Sequence, residues 1–227
     1  MRKSGILKSS IARKVAMSLS AFFLMIFLLQ HFAINSISLC SADSFDEVSH
    51  FMGTNFLIQY VLQPVLLFGV VFHFIMGFIL EAKNRASRDV RYVRNNGGAN
   101  SSWMSRNMVI SGLVILAFIG LHFYDFWFPE IQTKFIDGNW SGMTPEGEGY
   151  RYFAHLHHKF EDPIRVGIYC VAFVMLSLHL LHGFNSAFQS LGANNKYTRG
   201  LKGFGVAYSV LIPLGFIVIA LYHHFTH

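Results

Sequence analysis

Residues 177–192 read S-L-H-L-L-H-G-F-N-S-A-F-Q-S-L-G, and this stretch decides how the rest of the chain is read. His179 and His182 lie inside an otherwise apolar segment of helical character. An ionisable residue inside a bilayer is expensive, and it marks an ion path, a proton relay or a bound group. Three other long apolar segments each carry one embedded histidine: His31, His73 and His122. The chain must therefore explain four deep imidazoles on four separate segments.

The 227 residues are 53% hydrophobic and 13% charged, with 24 Phe, whereas soluble domains run near 25% charged. This is the composition of a membrane protein. A net charge of +6 could point to nucleic acid, but the apolar bulk leaves no soluble domain to present such a surface. Membrane lipid is the expected surroundings, and no nucleic-acid partner is expected. Cys40 and Cys170 cannot form a metal cage or an iron–sulfur site by themselves, so both read as packing residues.

Crossing a hydrocarbon core takes about 20 apolar residues. Five segments qualify, near 15–39, 56–80, 107–128, 164–188 and 204–224, which predicts an all-α membrane protein: one five-transmembrane-helix bundle over 1–227. Pro64 and Pro213 fall within two of these segments, which helices in lipid tolerate when neighbours satisfy the freed carbonyls. Cys40-Ser41-Ala42 loosely fits a signal-peptide cleavage site. A signal peptide's apolar core, however, spans about 7–15 residues, while the first segment spans about 25 and contains His31, so it reads as a retained membrane helix.

Lysine and arginine sort by loop. Fourteen of the 18 lie in the N-terminal arm (Arg2, Lys3, Lys8, Arg13, Lys14), between Lys83 and Arg106, or between Lys196 and Lys202. By the positive-inside rule the N-terminus is cytoplasmic and the C-terminus outside, as five spans require, in a multi-pass protein of the cell's inner (cytoplasmic) membrane. The outer loop at 129–163 carries six acidic residues and the run H-L-H-H at 155–158. His155, His157 and His158 read there as solvated, without an obvious helix or an ordered fourth ligand for a metal. His50, His223, His224 and His227 lie at segment ends or in loops and read the same way.

Counting from the cytoplasmic end, His31 and His122 lie roughly 25 Å into the membrane, and His73 and His179 roughly 12–15 Å. Like depths should pair. Any one of these histidines could simply satisfy a backbone carbonyl between helices. Four of them, matched two by two, predict two haem b groups held by axial histidines between facing helices, an outer one on His31/His122 and an inner one on His73/His179. Gly69 and Gly77 flank His73 at four-residue spacing, and Gly183 follows His179 by four, so a flat ring could lie against bare backbone. The alternative for these small residues is plain helix–helix contact. Asn35, four after His31, is placed to bond near the outer group or to another helix. Ser105 is a candidate N-cap of the third helix, and Arg106 a candidate partner for a propionate or an interfacial anchor.

These patterns resemble the cytochrome b membrane anchor of succinate:quinone oxidoreductases (succinate dehydrogenase and fumarate reductase), in its single-polypeptide, five-helix, two-haem form. The resemblance is carried by S-S-I-A-R-K from Ser9, H-F-A-I-N from His31, P-x8-H-x3-G from Pro64 to Gly77, S-R-N-M from Ser105, G-L-H-F-Y-D-F-W from Gly120 and H-G-F-N-S-A-F-Q-S-L-G from His182. It covers four of the five helices, while the fifth helix and the outer loop match in position alone. It implies a subunit of a tricarboxylic-acid-cycle or respiratory-chain complex with no succinate site of its own. Electrons would pass through the two haems between an iron–sulfur subunit, itself partnered by a flavoprotein subunit, and a membrane quinone, menaquinone for the two-haem type.

The resemblance also maps the fourth-helix ligand onto His179, four before Gly183. His182 becomes a group near a propionate or quinone oxygen, or a satisfied core histidine. Arg13, Ser18, Arg106 and His182 are the quinone-site candidates. Some relatives carry an acidic residue within the fourth helix, and here the nearby polar position is Ser177. Two other readings compete: the cytochrome b subunit of a membrane hydrogenase or nitrate reductase, and a transporter or proton channel whose histidines bind a metal ion or relay protons. One ligand on each of helices one to four disfavours the first; a colourless purified protein would favour the second.

Overall fold

The computed structural model describes residues 9–86, 107–144, 147, 149–192 and 198–226. Five helices in it are long and apolar enough to cross a membrane: α1 (Ser10–Ile37), α3 (Ile58–Ala86), α4 (Met108–Ile136), α6 (Pro163–Ser190) and α7 (Thr198–Phe225). Two short helices lie between them, α2 (Ala42–Thr54) and α5 (Tyr152–Phe160). Among the described residues the remaining regular structure is a single bridge between Met143 and Tyr150. The five-helix bundle is as predicted, with the spans longer than their apolar cores.

The packing is densest where α6 meets α7. Tyr169, Phe173, Leu180 and Phe184 of α6 bury against Tyr208, Ile212, Phe216 and Ile219 of α7. Close approach depends on missing side chains: the Phe184 ring occupies the space a Cβ at Gly205 would need, and the Phe32 ring does the same at Gly215. Tyr208 Oη donates to the Met25 carbonyl at 2.5 Å and ties α7 to α1. Large apolar residues such as Phe68, Val71, Val171 and Leu211 point outward. On a soluble protein that much exposed apolar surface would be a liability; on a membrane bundle it faces lipid.

Prolines explain where two helices depart from α geometry. A proline removes one N–H and its ring clashes with the carbonyl four residues back. Before Pro64, residues Ile58–Leu62 open into a π turn. Before Pro129, residues Phe123–Trp127 do the same, and α4 then continues to Ile136 instead of stopping near 128 as a proline boundary predicts. The carbonyl orphaned by Pro129 belongs to Asp125, and His155 Nε2–H donates to it at 2.7 Å.

The region of α2 and α5 corrects several expectations. The connection between the first two spans contains α2, capped by the Ser41 hydroxyl, which accepts from the Ser44 N–H at 3.1 Å, and Phe45 of α2 enters the core. Cys40 is exposed and Cys170 only half-buried, so Cys40 is no packing residue. The H-L-H-H run is helical, not loop: it forms α5, whose first turn is satisfied by Asp46 Oδ1 accepting from the Phe153 N–H at 2.6 Å. Leu156 and Phe160 anchor α5 in the core, and of its histidines only His158 is exposed. His223, read as a solvated end residue, has no solvent exposure.

Candidate functional site

One cavity of about 1830 Å³ runs through the bundle between α1, α3, α4 and α6. A pocket for one drug-sized molecule holds about 300–1,000 Å³. All four embedded histidines line it, together with His182. Helical periodicity puts them there, since each lies on the same stripe as small or flexible neighbours that also face the cavity: His73 with Gly77, and His179 with Gly183 and Ser186.

The histidines meet in two pairs. The rings of His31 and His122 have centroids 5.7 Å apart, nearly perpendicular at 86°. Those of His73 and His179 are 6.5 Å apart at 64°. These are the two pairs that residue counting puts at like depth. Two imidazoles bound to one iron from opposite sides, with metal–nitrogen bonds of about 2.0 Å, place their centroids roughly 6 Å apart.

The donor set also limits what could be held. Among the described residues no group of three or more His, Cys, Asp or Glu side chains is placed to hold a metal ion. A bare ion of the zinc type needs four ligands or three plus water, which neither pair supplies. A haem brings its own equatorial nitrogens and needs axial histidine alone. The described residues of each pair therefore fit a haem and do not by themselves complete a site for a bare ion of the zinc type.

Around the inner pair, Ser20 Oγ lies 3.0 Å from His73 Nδ1 and Ser111 Oγ lies 3.1 Å from His179 Nδ1. The outer pair is braced differently. His122 Nδ1 is buried with no hydrogen-bond partner, and the Asn35 amide donates to the His31 carbonyl at 2.8 Å. Asn35 thus bonds within its own helix. The same amide lies 3.5 Å from the His31 ring nitrogens, and aromatic rings surround the pair: Phe27 stacks on His31 at 5.4 Å, and Phe118 and Phe126 lie tilted beside His122 at 5.9 and 5.3 Å.

Of the glycines, Gly77 and Gly183 are on the cavity wall. A Cβ on either would meet nothing nearer than 3.7 and 3.6 Å. Gly69 is not on that wall; a Cβ there would fall 2.6 Å from the Phe23 ring, so its smallness serves the contact of α3 with α1. Gly112, which the sequence reading missed, lies 3.8 Å from His179 Cε1 by the same measure. Its signal was a glycine in an apolar run, which a single sequence does not separate from ordinary helix packing.

His182 lines the cavity toward its inner end, on the α6 face that carries Ser186, Gln189 and Ser190. Ser18 lines the cavity while its hydroxyl donates to the Lys14 carbonyl at 2.9 Å; Arg13 is not part of the lining. Ser105 and Arg106 lie outside the described residues.

At the end of the bundle that carries α2 and α5 stands a charged cluster absent from the sequence reading. Asp125 is fully buried; its carboxylate pairs with the Arg165 guanidinium and accepts from Tyr169 Oη at 2.8 Å. The Tyr169 ring packs 6.4 Å from that of His122. Nearer the surface, Lys134 is only 4% exposed; its ammonium pairs with Glu130 at 2.8 Å and donates to the Gly53 carbonyl at 2.9 Å. Arg151 also pairs with Glu130, at 2.9 Å. His50 stacks on Tyr150 at 4.3 Å. Burial, with the positive charges of Lys134 and Arg151 adding to it, holds the His50 imidazole below the usual range. Burial pushes the Tyr152 hydroxyl up to about 12.

No family model, no curated protein and no solved structure matches this chain.

Proposed function

We propose that the chain is a dihaem cytochrome b anchor of the succinate:quinone oxidoreductase type, carrying electrons between an iron–sulfur subunit and membrane quinone, menaquinone in particular. The observation that carries this reading is the cavity spanned by two histidine pairs, each of a separation suited to axial ligation of one iron. Bound haem supplies a one-electron carrier in each position. The protein's own part is to hold His31 against His122 and His73 against His179 at two depths, and to exclude water from between them with aromatic side chains.

Succinate chemistry on this reading belongs to a flavoprotein subunit, reached through the iron–sulfur subunit on the cytoplasmic face. The basic inner loops support that docking by electrostatic complementarity. Ser18 and His182, both on the cavity wall, are the described candidates for contact with a quinone or a propionate.

The test is a reduced-minus-oxidised spectrum of the purified protein, with a pyridine haemochrome assay for stoichiometry. Two haem b per polypeptide and co-purification with flavin and iron–sulfur subunits are expected. A colourless protein overturns the proposal in favour of a channel or transporter, and co-purification with a hydrogenase or nitrate reductase catalytic subunit reassigns the complex.

A further inference from the structure

The inner pair carries a proton-placement device: each of its histidines meets a serine hydroxyl. A serine hydroxyl has one proton to donate and two lone pairs to accept with. Ser20 Oγ donates its proton to the Met17 carbonyl at 2.8 Å, and Ser111 Oγ donates to the Met108 carbonyl at 2.9 Å. Both serines are buried. With that proton committed, the 3.0 and 3.1 Å contacts to His73 Nδ1 and His179 Nδ1 are hydrogen bonds only if the imidazoles donate. A neutral imidazole has a single N–H, so Nε2 of each ring is left bare.

We infer that Ser20 and Ser111 are positioning residues that hold His73 and His179 as Nδ1–H tautomers, aiming two unprotonated Nε2 atoms at one ligand between them. Both histidines line the cavity, and no hydrogen bond engages either Nε2 among the described residues. The serines come from α1 and α4 while the histidines come from α3 and α6, so four helices fix one two-nitrogen site. Ser38 repeats the device on His223, accepting at 2.9 Å while donating to the Asn35 carbonyl at 2.7 Å. There the bare nitrogen faces His157 Nδ1 at 3.5 Å and not a cavity.

The tautomer assignment is independent of what fills the site; its redox consequence rests on the haem reading. An imidazole whose N–H is hydrogen-bonded is a more basic metal ligand and favours the oxidised iron. Removing the acceptor therefore raises the potential of the inner haem alone.

The experiment compares Ser20→Ala, Ser111→Ala and the hydroxyl-retaining Ser20→Thr and Ser111→Thr in the purified complex. It reads haem stoichiometry, a two-component redox titration and ¹⁵N NMR of the histidine rings. Expected are Nδ1–H tautomers at His73 and His179, an upward shift of one redox component in each alanine variant with the other unmoved, and recovery in the threonine variants. Loss of one haem in an alanine variant that threonine prevents supports the assignment equally. Two unshifted components in both alanine variants, or Nε2–H tautomers in the wild type, overturn it while leaving two haems in place. Absence of haem from the wild type sinks the haem reading instead, and the ring-nitrogen shifts then still decide the tautomer.

Discussion

His155 donates Nε2–H to the main-chain carbonyl of Asp125 at 2.7 Å, the carbonyl that Pro129, four residues on, deprives of its helical partner. The bond joins α5 to α4 at the point where α4 opens into a π turn, one turn beyond His122. It also explains why Asp125, with its side chain held by Arg165 and Tyr169, can be fully buried beside the outer histidine pair.

Replacing His155 with alanine should destabilise the outer end, since an unsatisfied buried carbonyl costs about 1–3 kcal/mol. The Pro129→Ala variant restores an N–H to that carbonyl. His155→Ala should therefore cost less in the Pro129→Ala background than alone, by a thermal-unfolding double-mutant cycle in detergent. Equal costs in both backgrounds would mean that the bond contributes nothing.

Breaking a buried ion pair by removing one partner costs about 3–5 kcal/mol, because the other charge is left uncompensated. Asp125→Ala should lower the unfolding temperature well below that of Glu81→Ala, whose partner Arg85 is on an exposed helix end. Because the Arg165–Asp125–Tyr169 cluster packs against His122, Asp125→Ala should also disturb the outer redox component more than the inner one, read by titration.

Each histidine pair should hold one haem. His31→Ala and His122→Ala should each leave one haem, His73→Ala and His179→Ala likewise, and the component retained should be the same within each pair. His182→Ala should keep two haems with altered quinone kinetics. If His182→Ala loses a haem and His179→Ala does not, the α6 ligand is His182.

Reversing Arg85, Arg88 and Arg91 to glutamate should weaken docking of the iron–sulfur subunit while leaving haem content intact. Arg85 pairs with Glu81 at 2.6 Å; Arg88 and Arg91 lie outside the described residues. Assembly that survives the triple reversal at physiological salt would leave these residues as topology signals only.

The end of the bundle that carries α2 and α5 should respond to pH through His50. Its folded pKa lies below the ordinary 6.5, so the unfolded chain takes up a proton first. The stability of this region is fully present above about pH 6.5 and falls as pH drops from there toward the lower, folded pKa. The hydrogen-exchange protection factors of residues 150–160 should fall as pH drops through that window, and His50→Phe, which keeps a ring against Tyr150, should flatten the response. An identical profile in the variant would assign the pH dependence to another group.

The five spans and the four embedded histidines were legible in the chain itself, because lipid forces every backbone group into helical bonding and a run of apolar residues has no other use at that length. Their pairing was legible as well, since helices that cross one slab at similar tilt put equal residue counts at equal depths. What side chains find across helices was not. Gly69 and Gly77 are equivalent by spacing, yet one faces the Phe23 ring and the other the cavity. Ser20 and Ser111 are unremarkable serines until α1 and α4 bring them 53 and 68 residues away to their histidines. His155 reads in the sequence as a solvated loop imidazole, and Asp125 as one letter of a helix motif. Only the tertiary structure unites them, because the carbonyl freed by Pro129 must be satisfied, and the group that reaches it arrives from thirty residues further along.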